Sequence, residues 1–162
     1  MTISMETCAS YEVRHRLGVE AQRAVDDTVV LDHLQREKGR FRARTLAGDE
    51  LRVFLDRGKV LQVGEVLLAQ CGRRFRVEAA AEAVLHASSD DWRLFARACY
   101  HLGNRHVKMQ VGERWLRITP DHVLEDMLRQ LGLHTVPECA PFLPEAGAYA
   151  GGHEHHQHDH HH

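Results

Sequence analysis

Aromatic residues are scarce, at 6 % of the chain. A sheet that stacks nucleic-acid bases needs paired exposed aromatics, so the scarcity argues against an RNA-binding module. An excess of one charge is missing too. Lysine and arginine number 21 and aspartate and glutamate 23; setting aside Glu154 and Asp159 leaves 21 of each. A balanced body does not hold nucleic acid by bulk electrostatics. The four cysteines, Cys8, Cys71, Cys99 and Cys139, stand far apart and form no Cys-x-x-Cys, so no thiolate zinc site is signalled. No stretch approaches the roughly 20 apolar residues of a membrane span. Met1 to Glu12 holds no basic region followed by an apolar one. A soluble, cytoplasmic protein with free, mostly buried thiols is expected. A Gly-rich phosphate loop, a Gly-x-Ser-x-Gly elbow and His-Glu-x-x-His are all absent. Cys99 and His101 are two apart on a predicted helix and face different ways. No catalytic site is expected; the chain reads as a binder, not an enzyme.

What the chain does have is histidine. Seven of its 14 histidines lie in the last twelve residues: His153, His155, His156, His158, His160, His161 and His162. Neutral imidazole binds Ni(II), Cu(II) and Zn(II), and a flexible tract can offer several imidazoles to one ion. An expression tag is the bland alternative. Glu154, Gln157 and Asp159 interrupt the run, which a tag does not need.

Hydrophobic residues, at 43 % of 162, suffice for a packed core without staples. The first half reads as short strands. Arg40 to Leu46 alternates, Ala47-Gly48-Asp49-Glu50 turns, and Leu51 to Leu55 continues. Asp56-Arg57-Gly58-Lys59 is a second turn, followed by the apolar runs Val60 to Val63 and Val66 to Ala69. Arg36, Lys38, Arg40, Arg42 and Arg44 form a basic strip, in the plainest reading a solvated strand face. Arg76 to Ala87 has the period of one long strand. Ser88-Ser89-Asp90-Asp91 offers a helix N-cap, Leu94, Phe95, Ala98, Cys99 and Leu102 make an apolar stripe, and Gly103 is placed to end the helix. Val107 to Val111 and Trp115 to Thr119 read as a hairpin. Thr119-Pro120 starts a second helix with Pro at its first position, and Gly132 closes it. Leu133 to Phe142 is a last strand, interrupted by Pro137. Strand, helix, strand, strand, helix, strand is the order of the ferredoxin-like sandwich. The expected fold is α+β: a β-rich domain over 1–74, a ferredoxin-like βαββαβ domain over 75–144, and a linker with a disordered His-rich tail over 145–162.

Of the other histidines, three sit where metal chemistry is plausible. His106 follows Gly103-Asn104-Arg105, residues suited to a sharp helix-to-strand reversal. One ligand cannot hold an ion tightly, but two copies across a two-fold axis can. His101 lies in the last turn of the first helix, where contact with the helix dipole is the alternative. His122 opens the second helix beside Glu125 and Asp126, which could orient it or leave it solvated. His15, His33, His86 and His134 lack clustered partners and receive no role.

The stretch Ala98-Cys99-Tyr100-His101-Leu102-Gly103-Asn104-Arg105-His106 resembles the central motif of the urease accessory protein UreE family. Asp121-His122-Val123-Leu124-Glu125-Asp126-Met127-Leu128, with Leu131-Gly132, looks like that family's second helix. Arg40-Phe41-Arg42 and Leu55-Asp56-Arg57-Gly58 before Leu61 and Gly64 fit its N-terminal half. The resemblance covers nearly the whole chain. It implies a nickel metallochaperone for assembly of the urease active site: a homodimer of two-domain protomers, with an N-terminal peptide- or partner-binding domain and a metal-binding, dimerising second domain. It puts the central nickel ligand on His106, paired with its copy in the second protomer, and secondary ligands on His101 and His122. A further histidine of some relatives falls on Pro120 here. It implies the accessory GTPase UreG and the urease apoprotein complex as partners, and neither nucleic acid nor membrane. The ion is Ni(II), with Zn(II) or Cu(II) in vitro. The rival readings are a nickel or zinc storage protein without a urease client, an RNA-binding module, and a zinc-dependent hydrolase.

Overall fold

A computed structural model describes residues 8–20 and 22–147. The expected tail falls outside the described residues from position 148 onward. The described chain forms a β-rich N-terminal unit and an α+β C-terminal unit.

The first unit is a six-stranded sheet in the order β2-β6-β5-β1-β4-β3. Its strands are β1 (Ser10–Val19), β2 (Asp27–Leu31), β3 (Arg40–Arg44), β4 (Glu50–Phe54), β5 (Glu65–Ala69) and β6 (Arg74–Ala79). β1 pairs with β4, and β2 with β6, in parallel; the other pairs are antiparallel. A bridge between Val29 and Thr45 brings the two edge strands together and curls the sheet towards a barrel. One side chain in two points inward, so Val13, Val29, Leu31, Leu51, Val53, Leu67, Phe75 and Val77 form one buried core.

The second unit holds β7 (Ala81–Ser88), α2 (Trp92–Asn104), β8 (Gln110–Val111), β9 (Trp115–Ile118), α3 (His122–Gln130) and β10 (His134–Pro141). The sheet order is β10-β7-β9-β8, antiparallel throughout. Both helices cover one face. Leu85, Ala87, Leu116 and Ile118 from the strands meet Phe95, Ala98 and Leu102 of α2 and Leu128 of α3.

Several expectations need correction. The strand predicted over 76–87 is two strands in two sheets. The chain changes sheet at Ala80, whose N–H still bonds Leu31 O in the first unit (2.9 Å). Val77 faces one core and Leu85 the other with the same parity, so a period of two reads straight through the break. Val60 to Val63 is a loop, with Leu61 buried and its N–H bonded to Arg36 O. Pro137 does not interrupt β10. That strand is an edge, where proline's missing N–H leaves no ladder bond unmade. Pro120 precedes the helix cap rather than following it. Asp121 is the N-cap of α3, accepting from Leu124 N–H at 3.0 Å. The thiols are not mostly buried either: Cys8, Cys71 and Cys139 are exposed.

A short helix that sequence periodicity did not reveal, α1 (His33–Glu37), ties the two units. Asp32 and Gln35 close a capping box at its start. His33 then gives its N–H to Glu82 of β7 at 2.9 Å, and its ring Nδ1 lies 2.5 Å from the other Glu82 oxygen. Its ring meets Phe142 edge-on at 4.9 Å. Arg36, also buried, donates to Leu31 O and to Phe142 O. Burial lowers the Arg36 pKa, against the raising effect of the Glu82, Asp32 and Glu37 carboxylates.

Candidate metal centre

α2 begins at Asp91, whose carboxylate accepts from Arg93 N–H (2.8 Å) and Leu94 N–H (3.4 Å). Phe95, Ala98 and Leu102 bury its inner face, with Leu94 and Cys99 half-buried beside them. Gly103 does not terminate the helix as expected. It lies in the last turn, and Arg105 is the C-cap. The left-handed residue is His106 itself, with φ 55°. Its N–H bonds Gly103 O (3.0 Å), and Val107 N–H bonds Leu102 O (3.2 Å). These two bonds are the Schellman closure, in which the residue after the cap adopts left-handed geometry and is usually glycine. The half-buried Val107 packs against the core that holds Leu102, which locks the reversal.

α3 supplies an internal comparison. It ends with the same pair of bonds, Gly132 N–H to Arg129 O and Leu133 N–H to Leu128 O. There the left-handed residue is Gly132, at φ 95°. One sequence thus solves the same problem once with glycine and once with histidine. Left-handed geometry costs an L-residue roughly 1–2 kcal/mol. At the end of α2 this strain is retained, and the imidazole is exposed on a backbone fixed by two hydrogen bonds.

His101 is half-buried in the last turn of α2, its ring edge-on to Tyr100 at 5.5 Å. His122 is exposed as the first residue of α3. Among the described residues no three His, Cys, Asp or Glu side chains come together as a metal site. His101, His106 and His122 are therefore not gathered into one ligand set within the described chain. The seven tail histidines lie outside the described residues.

The last described residues pair with the segment that follows α2. Leu143 N–H bonds the Gln110 side chain (3.1 Å) and Glu145 N–H bonds Met109 O (2.8 Å), on the segment that runs from His106 into β8. The Arg36 and His33 contacts to Phe142 hold the residue just before that pairing.

Other titratable groups serve the fold. His86 stacks on Trp115 (5.5 Å) and lies 3.6 Å from Glu138. Arg117 covers the same indole at 4.9 Å. Trp115 is the one aromatic on β7 to β10, and it is covered; the aromatic pair an RNA-binding sheet needs is not there. Burial raises the Cys99 thiol pKa, offset in part by a backbone hydrogen bond. His33 received no role from the sequence and proves to be an interdomain contact. The capping-box pair Asp32 and Gln35 was the legible signal for its helix.

A β-rich unit, an α+β unit and an exposed imidazole fixed at a helix end are the features on which the comparison with known proteins bears. Residues 13–80 match the model of the UreE urease accessory protein N-terminal domain, and residues 82–162 that of its C-terminal domain. The urease accessory protein UreE of Marinomonas sp. is 54 % identical over 90 % of this chain and 99 % of its own. That of Alteromonas mediterranea is 48 % identical over 81 % and 86 %. That of Alkalilimnicola ehrlichii is 54 % identical over 78 % and 77 %. The chain belongs to the UreE family of urease accessory proteins, the chaperones of urease maturation.

Proposed function

We propose that the protein carries Ni(II) to urease during assembly of its active site, through His106. The observation that carries this reading is the left-handed histidine at the end of α2, where the end of α3 uses glycine. Two protomers would bring two such imidazoles to a two-fold axis. The outer side of α2 supports that axis. Tyr100 is 66 % exposed, Val123 of α3 is 69 % exposed, and a Cβ added at Gly103 would meet only open space. An exposed tyrosine and an open glycine on the helix that ends at His106 would suit the close approach of a second copy of this chain. Tail histidines from either protomer would complete the shell, and ligands that leave one at a time suit transfer rather than storage. His101 and His122 would hold further, weaker ions. Imidazole accepts Zn(II) and Cu(II) as well, so selection comes from geometry and supply. No step requires a catalytic group, so the protein acts as a carrier and not an enzyme.

The C-terminal unit is read as a ferredoxin-like, metal-binding and dimerising domain; its strand order and paired helices support that reading. The change of sheet at Ala80 favours a domain boundary there, a few residues beyond position 74. The N-terminal unit would dock a partner, with the GTPase UreG and the urease apoprotein complex as the candidates in the cytoplasm. No helix among the described residues is long and apolar enough to cross a membrane.

Calorimetric nickel titration tests the assignment. The intact protein should show two classes of site. Deleting residues 152–162 should remove most of the stoichiometry and leave one site per dimer, and His106→Ala in that background should remove it. Loss of every site on truncation alone, or unchanged affinity after His106→Ala, would overturn the role of His106.

A further inference from the structure

The basic strip of the N-terminal unit has no part in nickel binding. The structure splits it. Arg36 is buried and Lys38 caps α1, so the strip proper is Arg40, Arg42 and Arg44, exposed on β3. β3 is an edge strand. Arg42 stands directly opposite Arg52 of β4. Like charges set opposite across strands destabilise a sheet. Arg52 lies 3.9 Å from Glu12, but Glu12 is already paired with Arg14 at 2.5 Å. Arg14 in turn lies over the Phe54 ring at 4.8 Å, and Phe54 is the partner of Arg40. Arg44 is opposite Glu50. Five arginines and two glutamates therefore share one face. A hollow of about 330 Å³ extends the face at the Arg40 end, lined by Glu37, Lys38, Gly39, Arg40 and Arg57. Its one carboxylate, Glu37, is engaged by Lys108 at 2.7 Å.

Charges on an edge strand discourage strand-to-strand aggregation. That purpose does not need Arg52 behind Arg42. Unbalanced like charge across two strands fits an anionic partner. We propose that this face docks an acidic, extended protein segment with carboxylates at every second residue. Alternate strand residues stand about 6.6 Å apart, the spacing of Arg40, Arg42 and Arg44, and the edge of β3 before the Val29–Thr45 bridge offers backbone groups to a partner strand. Guanidinium groups pair carboxylates in bidentate fashion. A single-stranded nucleic acid would call for exposed stacking rings, and Phe54, the aromatic on this face, is covered by Arg14. The inference names the partner chemistry of the N-terminal docking domain and rests on that reading.

The test is fluorescence anisotropy of a labelled peptide alternating Glu and Thr, with full-length protein in EDTA at pH 8, where imidazole is neutral. Binding should weaken as salt rises from about 50 to about 200 mM. Arg40→Gln with Arg42→Gln should weaken it about tenfold. The melting temperature of this variant should hold or rise, because a like-charge contact is removed. An unchanged affinity in the variant, or tighter binding of an oligo-uridine of equal charge, would overturn the proposal. Capture of the urease complex by the wild-type chain separates the two readings. Capture without peptide binding rejects the basic strip and leaves the docking domain; failure of both rejects both.

Discussion

His106→Gly should make the apoprotein more stable while removing the imidazole proposed as its nickel ligand. The left-handed backbone at His106 carries a penalty of roughly 1–2 kcal/mol that glycine does not. Glycine also loosens the unfolded chain, which returns about 0.4–1 kcal/mol. The net gain is about 1 kcal/mol, or a rise of about 2–4 °C in melting temperature for a chain of this size. His106→Ala keeps the Cβ and should show no such rise. The mirror experiment is Gly132→Ala. It introduces a Cβ at φ 95°, 3.0 Å from Leu94 Cδ1, at the same position of the same motif. That change should cost about 2 kcal/mol and lower the midpoint by about 4–8 °C. Thermal denaturation in EDTA measures all three, and calorimetry shows whether both His106 variants lose the site. If His106→Gly melts no higher than His106→Ala, the strain does not exist and the argument from it fails.

Other measurements probe the frame and the remaining ionisable groups. Glu82→Ala leaves the buried His33 N–H and ring without their acceptor and should cost about 2–3 kcal/mol in urea unfolding; a loss under about 0.5 would show the contact dispensable. Burial alone would raise the Asp27 pKa, but hydrogen bonds from Thr45, Thr28 N–H and Ala47 N–H, with the Arg73 charge, hold it below the usual 3.8. A carboxyl depressed in the folded state stabilises above its unfolded pKa and loses that stabilisation as pH falls through the folded value. Asp27→Asn should therefore be less stable than wild type at pH 7, and the gap should close in acid; a gap independent of pH would refute this. Cys99, half-buried with its thiol pKa raised, should react with a disulfide reagent more slowly than exposed Cys8, Cys71 and Cys139. Cys99 labelling as fast as the others would contradict its burial.

Much of this fold was legible because local rules and tertiary context agree. The stripe Phe95, Ala98 and Leu102 meets the alternation of Leu116 and Ile118, and each pattern names the face it buries. Legibility fails where one pattern serves two environments. Apolar residues at spacing two run from Val77 to Leu85 straight through the change of sheet, yet the two ends belong to different cores. It fails again where chemistry is non-local. Nothing within five residues of His33 announces Glu82, 49 positions on. The candidate site was legible as residue types, His106 above all, but not as geometry. Glycine at 103 looked like the left-handed position because glycine tolerates it most readily. The structure gives that position to the histidine three residues later.

That displacement bears on how such a site can work. Had Gly103 ended α2, His106 would begin an extended segment whose imidazole takes its direction from strand geometry. Placed at the left-handed position instead, the side chain springs from a backbone held by Gly103 O and Leu102 O and by the packing of Val107. A residue so fixed loses little further backbone entropy when it binds an ion. One rigid ligand beside several adaptable ones separates the two demands of a carrier. In the proposed carrier, the fixed imidazole would set where the ion rests and the tail histidines would set how readily it leaves. The strain at φ 55° is the part of this division that the fold alone has no reason to keep.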